Sequence, residues 1–309
     1  MTRKSLFIAI VLVVFAFVPG FSAELEPIPS GANVVLLVNN HAGLPLGDLL
    51  NAVPLPPPAK QKLDEFFSAT SFNPLEDVVK VQVMVKKGET KREDNAVIVL
   101  SGKFNQDKIV GFIKEKIGQA IDEEKMGNLT VYRSKDGKGG LCFIDGGKVA
   151  FGTLPAVKVF LEARDGKELS SDFDELKPIL SDKAFVAVMV GGAEFMKKEM
   201  EKNREKRLAR LEKLQRTQNP VARIMEEYIT EGVEPTGFIA QLQSSRIDVK
   251  LNYRRNGQEK NQVQASVEIA DPKLTIEKLY GELVKALAEA PKPGFQPKAE
   301  EKAPSTGRW

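Results

Sequence analysis

Hydrophobic residues recur along this chain with two different periods, and together they predict a mixture of strands and helices. Short runs of Val, Ile and Leu bounded by turn-forming residues predict strands at residues 33–39, 77–86, 95–101, 129–133, 140–144 and 148–152. Apolar spacings of three and four predict helices at residues 44–53, 59–68, 105–120, 154–163 and 172–180. Asn105 is expected to cap the third of these helices, residues 105–120, and Ser171 is expected to cap the last.

The same order of elements begins again near residue 183. Residues 181–191 resemble residues 30–40 when Ser181 is aligned with Ser30. Further strands are predicted at 236–243, 247–254 and 262–269, followed by a helix that starts at Asp271. The pattern therefore predicts an α+β protein of two related halves, 24–182 and 183–290. Each half is expected to be a mainly antiparallel sheet covered on one face by amphipathic helices, the product of an internal duplication.

The two ends of the chain differ from this pattern. Arg3 and Lys4 precede an almost unbroken apolar run that ends at Val18, and small residues follow it. This predicts a signal peptide over residues 1–23, cleaved near Ser22 or Ala23, and a periplasmic or secreted protein. If it is not cleaved, the segment would tether the protein to a membrane at its N-terminus. Residues 291–309 lack an apolar period, which predicts a disordered tail.

Composition excludes several kinds of chemistry. Without its leader the chain carries 43 Lys and Arg against 42 Asp and Glu, so net charge gives no reason to expect nucleic acid. His41 is the only histidine, which excludes metal sites with two His ligands, and we expect no cofactor. Cys142 is the only cysteine, which excludes an intrachain disulfide, and its apolar neighbours predict burial. We interpret the acidic clusters 122–124 and 172–175 as charges at helix ends.

One segment has a marked charge excess. A long basic helix is predicted over residues 193–228, and its part from 197 to 216 has nine basic residues against four acidic ones. Its apolar stripe is thin, so it is either a solvated helical arm or a contact for an anionic envelope surface or an acidic protein. Nucleic acid is not favoured, because no aromatic residue is interleaved with the basic residues between 197 and 216. The candidate contact residues are Lys197, Lys198, Lys202, Arg204, Lys206, Arg207, Arg210, Lys213 and Arg216.

Three segments resemble a set of exported bacterial proteins of unknown function. They are residues 70–78, residues 100–104 with Gly102-Lys103-Phe104, and residues 143–152. Those proteins have a Gly-hydrophobe-Asp-Pro segment, a strand ending in Gly-x-Phe and a hairpin ending in Gly-Ser or Gly-Thr. Ser71 stands where that pattern has its first glycine. The resemblance covers about residues 33–191, implies an extracytoplasmic α+β domain, and transfers no functional residue.

These observations favour a non-enzymatic binding or structural protein of the bacterial envelope, with an unknown ligand. One alternative is a carboxylate-based hydrolase that acts on an envelope polysaccharide, and another is an accessory subunit of an envelope complex. A cleft that contains two carboxylates would favour the hydrolase. A protruding basic helix would favour binding.

Overall fold

The computed structural model describes residues 25–39, 57–73, 77–88, 95–117, 121–181, 184, 186–202, 233–243, 246–255 and 260–268. The predicted leader, the helix at 44–53, the helix from Asp271 and the tail lie outside the described residues, as does most of the basic helix.

The described strands form one antiparallel sheet in the order β11-β10-β9-β8-β1-β2-β3-β7-β6-β5-β4. Their bounds are β1 Val34–Asn39, β2 Val78–Lys86, β3 Asn95–Gly102, β4 Ile121–Met126, β5 Leu129–Ser134, β6 Gly139–Asp145, β7 Lys148–Thr153, β8 Val186–Gly191, β9 Val233–Leu242, β10 Arg246–Arg255 and β11 Lys260–Glu268. An α+β fold dominated by antiparallel strands is therefore confirmed. The strands expected in two sheets belong to one, because β1 pairs with β8 at its centre.

Four α-helices accompany the sheet in the described residues: α1 Pro57–Thr70, α2 Gln106–Ile117, α3 Leu154–Arg164 and α4 Ala193–Lys202. The prediction of Asn105 as the cap of α2 is confirmed, since the backbone N–H of Lys108 donates to its Oδ1 at 3.0 Å. The prediction of a helix at 172–180 is wrong. That segment makes turns and only a short 3₁₀ helix, Lys177–Ile179, because this path buries both Phe173 and Leu176 against the sheet.

Helices cover both faces of the sheet, so the prediction of helices on one face is wrong. Face A is the side of Val35, Met84 and Val97, and face B is the side of their neighbours along each strand. On face A lie α3, the turns around Phe173 and the N-terminal segment at Ile28. Helices α1 and α2 lie on face B of the first strands, and α4 lies on face B of β9 to β11. Strands β2 and β3 are buried through consecutive residues, and such strands require cover on both sides.

Candidate functional site

A cleft of about 690 Å³ lies beside the C-terminal end of α1 and the N-terminal end of α2. It opens to solvent on face B of the sheet. Its lining combines an aromatic floor with polar side chains of both charges: Thr70, Ser71, Phe72, Asp77, Lys103, Phe104, Asn105, Gln106, Asp107, Lys108 and Gly146.

Backbone hydrogen bonds join the chain segments that form this cleft. The N–H of Lys103 donates to the carbonyl of Asp77 at 2.7 Å, and the N–H of Gly102 donates to the carbonyl of Gly147 at 2.8 Å. The carboxylate of Asp77 accepts a hydrogen bond from the N–H of Asn73 at 2.6 Å, which links the residues after α1 to the start of β2. These are the three segments that carry the resemblance to exported proteins, so the structure brings them together at one place.

Two positions in these segments explain why the pattern uses glycine. A Cβ at Gly102 would lie 1.9 Å from the carbonyl oxygen of Asp77, so any side chain at this position would clash with that oxygen. Ser71 has a φ of 55°, in the left-handed region where glycine is normally preferred. The serine retains that conformation here, and its Oγ accepts a hydrogen bond from the Nζ of Lys108 at 2.9 Å.

The floor of the cleft is aromatic. The rings of Phe72 and Phe104 stack with their centroids 5.7 Å apart. Phe66 lies behind them and packs edge-on against both Phe72 and Phe112. Each of these four phenylalanines is only partly buried. The cleft therefore offers apolar ring surface next to exposed charges.

The rim of the cleft carries balanced charge. Lys103 and Lys108 are exposed, and so is Asp107 in the first turn of α2. With Asp77, the rim holds two cations and two carboxylates. Such a rim suits a ligand that presents both hydrogen-bond donors and acceptors beside an apolar face. Sequence reasoning missed these residues, although Lys103 stands inside the Gly-x-Phe segment.

The structure describes only the start of the predicted basic helix. Phe195 and Met196 of α4 pack against face B, whereas Lys197 and Lys198 are exposed. Lys202 is the last residue of α4. The remaining candidate contacts lie outside the described residues: Arg204, Lys206, Arg207, Arg210, Lys213 and Arg216.

The acidic cluster 122–124 does not lie at a helix end as expected. It belongs to β4, a strand at the edge of the sheet, because each acid finds a basic partner there. Asp122 pairs with Arg133 at 3.3 Å, Glu123 with Lys114 at 2.8 Å, and Glu124 with Lys158 at 2.5 Å. The hydrogen bond from Lys114 lowers the pKa of Glu123, and the bond from Lys158 lowers that of Glu124.

The second acidic cluster, 172–175, was also expected in a helical first turn and lies in turns instead. Asp174 pairs with Lys177 at 2.8 Å, and Glu175 forms an ion pair with Lys260 of β11. Within the described residues, no group of three or more His, Cys, Asp or Glu side chains could hold a metal ion.

Cys142 is fully buried in the face A core, as its apolar neighbours predict. Burial raises the pKa of its thiol to about 11, and the positive charge of Arg164 opposes part of that shift. The thiol is therefore an apolar packing group with little thiolate character at neutral pH. His41 lies outside the described residues.

Among the described helices, none is both long enough and apolar enough to cross a bilayer.

No protein-family model and no curated protein matches this chain. Solved structures of the protein TP0453 are similar to it at low sequence identity. Crystal form IV of TP0453 has 10% identity and a TM-score of 0.43, and the match covers 84% of this chain and 97% of that chain. Crystal form III has 10% identity and a TM-score of 0.41, with coverage of 83% and 99%. This similarity assigns no ligand and no activity to the chain.

Proposed function

We propose that this chain is an exported bacterial envelope protein that acts by binding, and that its partner is an anionic surface or an acidic protein. In this proposal the contact is the basic face of the helix predicted over residues 193–228, of which α4 is the described part. The observation that carries the proposal is the placement of α4 on the sheet. Phe195 and Met196 anchor its apolar side, so that Lys197 and Lys198 are presented to solvent.

This arrangement suits electrostatic binding for a physical reason. A helix that packs through a thin apolar stripe leaves most of its circumference to charged residues. A cluster of lysines and arginines near an anionic lipid surface contributes about 1 kcal/mol of binding free energy per residue. The charge excess of residues 197–216 would then give an affinity that falls steeply as salt increases.

The test is co-sedimentation of the mature protein with vesicles of phosphatidylcholine, with and without phosphatidylglycerol. We expect retention on the anionic vesicles only, and loss of retention as salt increases. Replacing the nine candidate basic residues by glutamine should abolish it. The double variant K197Q/K198Q should weaken it by about 2 kcal/mol, or roughly 30-fold in affinity.

A matched control removes the same charge elsewhere. Lys135 and Lys138 are exposed in the turn between β5 and β6, so K135Q/K138Q should bind anionic vesicles as the wild type does. If both double variants lose vesicle binding equally, the binding depends on the net charge of the protein and not on the position of these lysines. If the variant with all nine basic residues replaced is still retained on anionic vesicles, the proposal of a membrane surface is contradicted. The acidic protein partner is then tested by pull-down from envelope extract with the same variants.

The second candidate function is hydrolysis of an envelope polysaccharide in the cleft. The observation that favours it is that two carboxylates, Asp77 and Asp107, line one cavity beside stacked aromatic rings. Glycoside hydrolysis uses a pair of carboxylates, one to protonate the leaving group and one as base or nucleophile. Asp77 already accepts a hydrogen bond from its own loop, so in this hypothesis Asp107 is the residue that is free to act as the acid.

The hydrolase hypothesis is tested by incubating the pure protein with wall glycan and measuring new reducing ends. D107N should lower any turnover by at least 100-fold if Asp107 is the acid. Because Asp107 is exposed, D107N should fold normally. Absence of turnover by the wild type would leave binding as the function.

We also propose that the two halves arose by duplication. In support, β1 and β8 are neighbours, and each begins a meander that runs outward, through β2 and β3 or through β9 and β10. Alternation of burial favours aligning Val34 with Val186, which keeps Val35 and Ala187 on the same face. That register is one residue away from the sequence match of Ser181 with Ser30, and a shift of one residue would exchange the two faces.

A further inference from the structure

The end of the sheet at β11 has features of a surface that pairs with another strand. Within the described residues β11 pairs with β10 alone, over nine successive residue pairs with no register shift. The strand Lys260–Glu268 contains neither proline nor glycine. Natural proteins usually protect such edges with short strands, bulges, prolines or repelling charges, because a long regular edge is a template for a further strand.

The opposite edge of the same sheet is protected. Strand β4 is only six residues long and carries Asp122, Glu123 and Glu124 in succession. A second β4 paired antiparallel about Glu123 would place Asp122 opposite Glu124 and Glu123 opposite itself. Like charges directly opposite are destabilising, and the basic partners of these acids within the chain offset only part of that repulsion. The chain thus repels its own β4 edge but contains no comparable repulsion along β11.

The charges of β11 are arranged to attract a second copy. We propose that two copies of this chain pair through β11, antiparallel, about a two-fold axis at Gln264. In this register Lys260 of each copy, which also pairs with Glu175 of its own chain, lies opposite Glu268 of the other, so two symmetric pairs of opposite charge face each other. Gln262 then lies opposite Ser266, so polar groups face each other on the same side.

The other side of the strand fits the same register. Val263 is buried in the apolar cluster of face B with Val249 and Leu251, and Ala265 packs against that cluster. The two-fold axis at Gln264 places Val263 of one copy opposite Ala265 of the other. The apolar layer of face B would continue from one copy into the next, while the polar layer of face A remains at the surface.

Sedimentation velocity of the mature full-length protein tests the proposal through its charges. The wild type should be a dimer that dissociates on dilution. K260E alone and E268K alone should each place two like-charge pairs in the interface and weaken dimerisation at least tenfold. An equimolar mixture of the two variants should form a heterodimer, because every K260E carboxylate then meets an E268K lysine.

A second substitution guards against effects on folding. Gln264 lies opposite Lys250 within the chain, so Q264E gains an attractive neighbour in the monomer but brings two carboxylates together at the two-fold axis. We expect Q264E to unfold no more easily than the wild type and to dimerise at least tenfold more weakly. Q262E is the matched control, because residue 262 lies opposite Ser266, and it should dimerise as the wild type does.

Three results would overturn the proposal. One is a wild type that stays monomeric at every concentration, which would indicate that another segment or another protein covers β11. Another is dimerisation that Q264E and Q262E weaken equally. The third is a mixture of K260E and E268K that forms no heterodimer while both variants remain folded by circular dichroism.

Discussion

The carboxylate of Glu26 lies 3.2 Å from the Nζ of Lys80, and both side chains are more than nine-tenths buried. Lys148 approaches the same carboxylate at 3.1 Å from β7. The amide of Gln82 adds two bonds to the backbone of Glu26, accepting from its N–H at 2.8 Å and donating to its carbonyl at 3.0 Å. These contacts hold the segment around Glu26, which follows the predicted leader, against face A of the central strands.

Glu26→Ala should be strongly destabilising. Removing one partner leaves the Lys80 ammonium buried beside the sheet without the carboxylate it faces, and such changes cost about 3 kcal/mol in the free energy of unfolding. Urea denaturation measures the loss. The control is Glu123→Ala, which removes an exposed partner of Lys114 and should cost less than about 1 kcal/mol. Equal effects in the two variants would show that the Glu26 pair contributes nothing through burial.

Much of the fold could be predicted because its signals are local. The strands β5, β6 and β7 and helix α2 were predicted to within a few residues, since alternation and three-four spacing depend only on neighbours in sequence. The cleft was only partly predictable. The pattern of Gly102 and Ser71 was visible, but its reason is a backbone approach to Asp77 and a left-handed φ, which only the folded chain reveals.

The features that were predicted wrongly depend on contacts between distant segments. Strand β4 is highly charged, and its acids become compatible with a sheet only through Arg133, Lys114 and Lys158. The segment 172–180 has a helical pattern, yet burial of Phe173 and Leu176 on face A outweighs helix propensity. A local sequence pattern cannot predict contacts with residues that are distant in the chain.

Gly102→Ala should disrupt the assembly of the cleft. The added Cβ would lie 1.9 Å from the carbonyl oxygen of Asp77, so two backbone segments would have to separate. We expect a loss of about 3 kcal/mol in the free energy of unfolding, at the upper end of overpacking effects. Gly111→Ala is the control, because nothing lies within 4 Å of its Cβ position. An alanine inside α2 should stabilise the protein by about 0.5 to 1 kcal/mol.

Asn105→Ala should loosen the start of α2 and with it one wall of the cleft. The Asn105 Oδ1 accepts the N–H of Lys108, one of the backbone donors that has no partner within the helix. Its loss should cost about 1 kcal/mol in thermal or urea unfolding. Asn105→Asp should retain most of that stability, because a carboxylate also caps and favours the positive end of the helix dipole. If alanine and aspartate are equally destabilising, capping is not the role of Asn105.

Cys142 should make the stability of the protein depend on pH in the alkaline range. Burial raises the pKa of the folded thiol to about 11 from an ordinary value of 9.0. Between these values the unfolded chain releases the proton while the folded chain keeps it, so the free energy of unfolding falls as pH rises, by up to about 1.4 kcal/mol per pH unit.

Urea midpoints of the wild type and of Cys142→Ala, measured from pH 7 to pH 11, isolate this effect. The cavity left by alanine lowers stability by an amount that does not depend on pH, so below pH 9 the two curves should run parallel. Above pH 9 the wild type should lose stability faster, and the two curves should converge. All other groups that titrate at alkaline pH are present in both proteins, so their effects cancel when the two stability curves are subtracted. Curves that stay parallel up to pH 11 would show that the thiol ionises as easily in the folded protein as in the unfolded chain, which would contradict its burial behind α3.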